Sequence, residues 1–291
     1  VMPAWQDRLS EGEIYVVAAY IIAEQKKVQD HVASLDPKLI ERGYYLSRIG
    51  DCMACHTEPG GENFGGGLGF DTPFGTMFSR NISPSPDEGI GSWTYEDFYD
   101  ALHSGEGKTW YGFLYPAMPY TSYQYVTDED TRAIWAYLQS VPPVSQKNKD
   151  NTVIFPANIR LGMLAWDIMF MRGSPLQFLR GIPELDYPED RSESWKRGKY
   201  LVKGLGHCEA CHTPRNIGMA MELDRPFQGA LIEGWDAPNI TATELYRTGW
   251  TVEELTQLFK HGHSGKGSVF GGMADVIKNS LRYATIDDLN A

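Results

Sequence analysis

Apolar residues along this chain recur in short runs at helical spacing, and most of those runs open on a side chain able to cap a helix. Ser10-Glu11-Gly12-Glu13 has the form of a capping box, followed by Ile14, Val17, Ala18, Tyr20 and Ile21. A second helix is predicted after Thr94, carrying Phe98 and Leu102, and a third after Thr251, carrying Leu255, Leu258 and Phe259. Thr127 opens a run through Ile134, Trp135, Tyr137 and Leu138 that Pro142-Pro143 stops, and Thr285 opens another. Val153 to Met171 comes nearest to a membrane span, but Pro156, Asn158, Arg160 and Asp167 interrupt it. Arg160 and Asp167 lie seven apart and so on one helical face, which predicts an amphipathic helix packed on a domain or meeting a membrane surface or subunit. Strand signals are sparse. The predicted fold is mostly α, with long Gly/Pro-rich loops such as Pro59 to Thr76.

These elements form an internal repeat. Arg42-Gly43-Tyr44-Tyr45-Leu46 answers to Arg197-Gly198-Lys199-Tyr200-Leu201, and Arg80-Asn81-Ile82 to Pro238-Asn239-Ile240. Trp93-Thr94 and Trp250-Thr251 open matching helices, each running into a Gly-rich loop, at Ser104 to Gly107 and Gly262 to Gly265. A chain of 291 residues has room for about two domains on a prior of roughly 150 residues each.

The chemistry lies in the cysteines. All four fall in two copies of one pentapeptide, Cys52-Met53-Ala54-Cys55-His56 and Cys208-Glu209-Ala210-Cys211-His212. In C-x-x-C-H the thiols add covalently to the two vinyl groups of a haem and the histidine ligates the iron, so Cys52, Cys55, Cys208 and Cys211 predict two attached haems c. No βαβ context supports a redox dithiol, zinc leaves the repeated histidine unexplained, and a disulfide framework would need cysteines outside the motifs. A formal net charge of -12 argues against a nucleic-acid partner.

His56 and His212 are the expected proximal ligands. The sixth ligands are expected from Met118, in Tyr115-Pro116-Ala117-Met118-Pro119-Tyr120, and from Met273, which follow Cys52 and Cys208 by 66 and 65 residues. His103, His261 and His263 compete for that role, whereas Met77, Met219 and Met221 read as core residues, His207 as a surface or propionate-side residue and His31 as a linker residue. Arg80, Asn81, Trp93, Arg215, Asn239 and Trp250 are expected near the haems, hydrogen-bonding or packing beside propionates.

The division that follows is a haem c domain at 31–150, an interdomain segment with the amphipathic helix at 151–190, and a haem c domain at 191–291. The last helix of the second domain is expected to continue beyond Ala291. Met2-Pro3 followed by one capped helix is how a small cytochrome c domain ends. Residues 1–30 are therefore expected to be the tail of a preceding haem domain, with Met2 its axial ligand. No secretory signal opens the chain, yet haem is attached covalently on the outer face of the bacterial cytoplasmic membrane, so the periplasm is the expected compartment.

With these residues in place, the chain resembles the multihaem, three-haem type, cytochrome c subunit of membrane-bound dehydrogenases of acetic acid bacteria and their relatives, acting on alcohols, aldehydes, gluconate or fructose. The matching segments are Gly50-Asp51-Cys52 through Thr57, Thr72-Pro73-Phe74-Gly75-Thr76, Arg80-Asn81-Ile82-Ser83-Pro84, Gly89 through Thr94, Leu114 through Tyr120, and Gly204-Leu205-Gly206-His207-Cys208 through Asn216. The resemblance implies tandem cytochrome c domains and a third haem c domain upstream. It also implies electron transfer from a catalytic subunit of quinohaemoprotein, flavin or molybdenum type to ubiquinone at the periplasmic membrane surface. The Met-Pro tail stands first here, whereas alcohol-oxidising members carry that domain last, which favours an aldehyde-type complex. The rival readings are a dihaem peroxidase, which predicts one iron without a distal ligand, and a cytochrome subunit of a terminal oxidase or nitrite-reducing chain.

Overall fold

The computed structural model describes Val17 and residues 36–108, 112–170, 185–232 and 234–291. Apart from Val17, the expected N-terminal tail with Met2, and His31, lie outside the described residues. The elements are α1 (Pro37–Ile49), α2 (Cys52–Cys55), β1 (Gly69–Thr72), β2 (Gly75–Phe78), α3 (Tyr95–His103), α4 (Tyr120–Tyr123), α5 (Asp128–Ser140) and α6 (Gly162–Phe170). They continue as α7 (Glu193–Tyr200), which runs into a π-turn at Leu201–Leu205, α8 (Glu209–His212), β3 (Ala230–Ile232), β4 (Trp235–Ala237), α9 (Ala242–Arg247) and α10 (Val252–His261). Then come β5 (His263–Ser264), β6 (Gly267–Ser268), α11 (Gly272–Asn279), a 3-10 turn at Leu281–Tyr283 and α12 (Ile286–Asn290). Among the described residues strands occur only as three two-stranded antiparallel hairpins, so the fold is mostly α. One of these, β1–β2, sits inside what the sequence presented as one long loop.

The threonine caps act as their positions predict. Thr94 with Asp97 and Thr251 with Glu254 each form a full capping box, and the hydroxyls of Thr127 and Thr285 each accept the amide three residues on. α1 starts at the Asp36 cap with proline in its first turn. The helix expected over Val153 to Met171 is shorter, α6 alone, with residues 154–162 running through successive turns that bond Asn158 N to Ile154 O, Ile159 N to Pro156 O and Gly162 N to Ile159 O. Arg160 therefore precedes the helix rather than sharing its face with Asp167.

Within the first repeat α1 crosses α5 so closely that a Cβ on Gly43 would lie 1.9 Å from the carbonyl oxygen of Ala133. The second repeat has the same crossing, with Gly198 against Ala291 at 2.4 Å. Leu46, Ile49, Phe64, Ile134 and Leu138 form the core, and Leu205 and Ala284 of the second repeat belong to the same cluster.

The two repeats join through a reciprocal pair of contacts. Arg42 donates from Nε to Asp130 Oδ1 (2.8 Å) within the first repeat, and Arg197 to Asp288 Oδ1 (2.8 Å) within the second. Tyr200 then crosses to donate its hydroxyl to Asp130 Oδ2 (2.7 Å), while Tyr45 crosses the other way to Asp288 Oδ2 (2.6 Å). Each tyrosine oxygen also accepts the N–H of the partner repeat's helix-capping threonine, Thr127 and Thr285. The tyrosines are equivalent positions of the repeat, so one local sequence serves twice, related by an approximate twofold.

Candidate haem-binding site

Each C-x-x-C-H stretch is a single helical turn, α2 or α8, entered through a left-handed residue: Asp51 at φ 54° and His207 at φ 38°. The chain after each motif then folds back identically. The amides of Gly66 and Gly229 donate to the carbonyls of His56 and His212, both at 2.8 Å, and the hydroxyls of Thr57 and Thr213 accept from the amides of Phe64 and Phe227, both at 3.1 Å.

This fold-back fixes the imidazoles. His56 Nδ1 lies 2.6 Å from the carbonyl oxygen of Arg80, and His212 Nδ1 lies 2.8 Å from that of Pro238, its equivalent in the repeat. A carbonyl only accepts, so Nδ1 carries the proton in each ring and Nε2 keeps its lone pair. Burial lowers the pKa of both rings below the ordinary imidazole value, which preserves the neutral, ligating form. Burial also pushes the Cys52 and Cys208 thiols up to about 12, which disfavours their ionisation. No group of three or more His, Cys, Asp or Glu able to hold a bare metal ion occurs among the described residues.

The two motifs open onto one continuous cavity of about 2210 Å³, well beyond the roughly 300–1,000 Å³ of a pocket for one drug-sized ligand. Its walls include Cys55, Cys208, Cys211, Leu255, Phe259 and Met273. Arg215 also lines it, giving Nη1 to the carbonyl of Met219 and Nη2 to that of Ala210, while its Nε is buried with no partner and the residue makes no ion pair among the described residues. A part-buried, half-satisfied cation in an apolar wall matches a large apolar group bearing carboxylates, which is the chemistry of haem with its propionates.

Residues 40–142 match the cytochrome c family profile. The chain is 34% identical over 247 residues to the diheme cytochrome c-type protein of Cereibacter sphaeroides, covering 82% of this chain and 79% of that one. The chain belongs to the cytochrome c family. It is also 40% identical over 263 residues to the gluconate 2-dehydrogenase cytochrome c subunit of Pantoea cypripedii, covering 87% of this chain and 58% of that one. With the cytochrome c subunit of the quinone alcohol dehydrogenase of Gluconobacter oxydans it shares 37% identity over 276 residues, covering 90% and 55%. It thus spans a little over half the length of these two relatives.

As a cytochrome c the chain carries covalently bound haem c. In this cytochrome c, Met273 stands in the first turn of α11 and lines the cavity. Met118 is part-buried against the core, between Pro116, Ala117 and Pro119, which line the cavity. α11 packs on α2 of the other repeat, and α4, just after Met118, packs on the turn leading to Cys208. The competing histidines are accounted for. His103 is buried, with Nε2 at 2.9 Å from Thr131 Oγ1 and its ring stacked on Tyr99, and His261 and His263 are exposed.

Some expectations need correction. Asn81 is buried, its amide donates to the carbonyls of Val144 and Gln146, and its oxygen accepts from both the amide and hydroxyl of Ser83. Every donor it has is taken, so it shapes the loop presenting the Arg80 carbonyl and has none left for a propionate. Arg80 reaches the carbonyl of Lys149, and Trp93 packs on the core, whereas Asn239 and Trp250 line the cavity. His207 is part-buried rather than open to solvent: its ring packs edge-on against Tyr123 of the first repeat, with centroids 5.5 Å apart, burial lowers its pKa to about 4, and it lines the cavity, as a propionate-side position would. Met77 and Met219, expected as core, line the cavity. Sequence reasoning also missed Asp51, buried beside Cys52 with Oδ1 unpartnered and its pKa raised to about 8 by burial and by Asp275. Its place before the motif gives no cue, because the second copy has His207 there.

Proposed function

We propose that this cytochrome c is an electron-transfer subunit of a periplasmic, membrane-bound dehydrogenase complex, passing electrons from a catalytic subunit towards ubiquinone. In this reading Cys52 and Cys55 hold one haem c and Cys208 and Cys211 a second. His56 and Met118 ligate the first iron, and His212 and Met273 the second. Haem bound there supplies a one-electron couple. The chain's own residues would hold it by two thioethers and offer an oriented imidazole, a soft methionine thioether and an apolar wall that excludes water.

The observation that carries this reading is the pair of matched imidazole–carbonyl contacts, His56 to Arg80 and His212 to Pro238, which orient two rings as metal-ligating histidines are oriented. Two relatives are themselves named as cytochrome c subunits of dehydrogenases, which supports a catalytic partner. A membrane surface is supported by the outer side of residues 154–169, where Phe155 is 76% and Met169 67% exposed, while no described helix is long and apolar enough to cross a membrane.

A pyridine haemochrome assay on the purified chain should give two haems c per polypeptide, falling to one when Cys52 and Cys55, or Cys208 and Cys211, are replaced by alanine. Copurification with a dehydrogenase whose substrate reduces the cytochrome, reoxidised by a ubiquinone analogue, tests the rest. Rapid carbon monoxide binding at one ferrous iron would instead favour an open, peroxidase-like site.

A further inference from the structure

The segment joining the two repeats has an unusual inside and outside. Its outer side is apolar and exposed, with Leu161, Leu164, Ile168 and Met169 open to solvent. Its inner side carries Arg160 and Asp167, the two charges of residues 154–170, both bound to the loop that contains Met118. Arg160 donates to the carbonyl of Phe113 at 3.0 Å and lies 3.8 Å from the centroid of the Tyr115 ring. Tyr115 in turn donates its hydroxyl to the carbonyl of Ala157 at 2.8 Å, and Tyr120 donates to Asp167 Oδ1 at 2.8 Å. Met118 therefore sits between two anchor points, Phe113–Tyr115 before it and Tyr120 after it. Both tyrosines are buried, where charge-assisted bonds are strong and costly to lose.

The repeat supplies an internal comparison. The equivalent of Tyr115 in the second repeat is Phe270, which has no hydroxyl and is 70% exposed. The far end of the segment is also fixed, because Trp166 donates from Nε1 to the carbonyl of Gly218, at 2.6 Å, beyond the second motif.

We propose that residues 154–170 act as a strap in which Arg160 and Asp167 are positioning residues for the Met118 loop, holding Met118 in place, while among the described residues no such brace reaches the Met273 loop. This rests on the reading of Met118 as an axial ligand. A strapped loop has less conformational freedom to lose when its thioether ligates, and less tendency to swing the sulfur away.

The test uses the full chain with its haems attached, comparing Arg160→Ala, Asp167→Ala and Met118→Ala, with exogenous imidazole as the probe. Binding of imidazole to the ferric protein reports release of the methionine, read as loss of the methionine-to-iron charge-transfer band. Each strap variant should strengthen binding at one haem roughly tenfold or more, the factor for one hydrogen bond to a charged group, and leave the other haem unchanged. Arg160→Lys, which keeps the charge, should recover part of the effect. The strap is overturned if Met118→Ala opens one haem while neither strap variant moves imidazole affinity, or if both haems respond equally. If Met118→Ala itself leaves the band intact, the ligand reading fails and the strap falls with it. Should a strap variant not fold, hydrogen exchange on the unaltered protein decides. The amides of Leu114 and Met118 should exchange more slowly than those of Val269 and Met273, and equal rates would overturn the proposal.

Discussion

Replacing Tyr200 with phenylalanine removes one oxygen from the joint between the repeats, and its cost can be worked out beforehand. Tyr200 is 7% exposed and Asp130 2%, so the bond from its hydroxyl to Asp130 Oδ2 is fully desolvated. Arg42 remains on Asp130 Oδ1, which keeps the carboxylate paired, while Oδ2 loses its donor. A buried bond to a charged group is worth roughly 1.5–3 kcal/mol, so we expect a loss of about 2 kcal/mol. For a chain of 291 residues that lowers Tm by about 3 °C. The equivalent change, Tyr45→Phe, should cost less, about 1 kcal/mol, because Tyr45 is half-buried and Arg197 already reaches both oxygens of Asp288. Calorimetry on the haem-loaded protein tests both the size and the order. Because one core cluster spans both repeats, each variant should shift a single transition. A loss below about 0.5 kcal/mol for Tyr200→Phe, or a larger one for Tyr45→Phe, would refute the argument that burial sets the difference.

Other consequences are simpler to state. Gly43→Ala should cost about 3 kcal/mol or prevent folding, since its Cβ would overlap the Ala133 carbonyl, whereas Gly162→Ala, with open space around it, should be neutral or stabilising by about 0.5–1 kcal/mol; urea midpoints compare them. Burial holds the His103 pKa down to about 4, so the unfolded chain binds a proton there that the folded chain refuses between about pH 6.5 and 4. Stability from this group is thus fully present above pH 6.5 and falls as pH drops to 4, by about 3 kcal/mol; His103→Gln should flatten that part of the pH profile relative to the parent. Met118→Ala should lower the potential of one haem while both remain attached, read by spectroelectrochemical titration, and an unchanged titration counts against Met118.

Much of the candidate site was legible because it depends on local sequence. A C-x-x-C-H motif carries its reactive atoms within five residues, and a threonine cap is decided within three, so Cys52 to His56 and the starts of α3, α5, α10 and α12 needed no knowledge of long-range contacts. Repetition added register. Knowing that Arg80 answers to Pro238 marked the two positions whose carbonyls meet the motif histidines, although nothing in either side chain suggested a backbone contact. Asn81 misled for the opposite reason: a polar side chain near a predicted site suggests a ligand contact, and only the path of residues 144–146 shows that its hydrogen bonds are already made.

By itself, then, the sequence determined a mostly helical cytochrome c with two motifs in repeated surroundings, because covalent attachment, capping and hydrophobic period are short-range properties. Tertiary structure alone decided that Tyr45 and Tyr200 cross between repeats, that His207 is wedged against Tyr123, and that Arg160 and Asp167 turn inward on the Met118 loop. Those outcomes depend on which buried groups meet across 40 or more residues of chain, and a desolvated donor takes the nearest acceptor the packing offers, wherever that lies in the sequence.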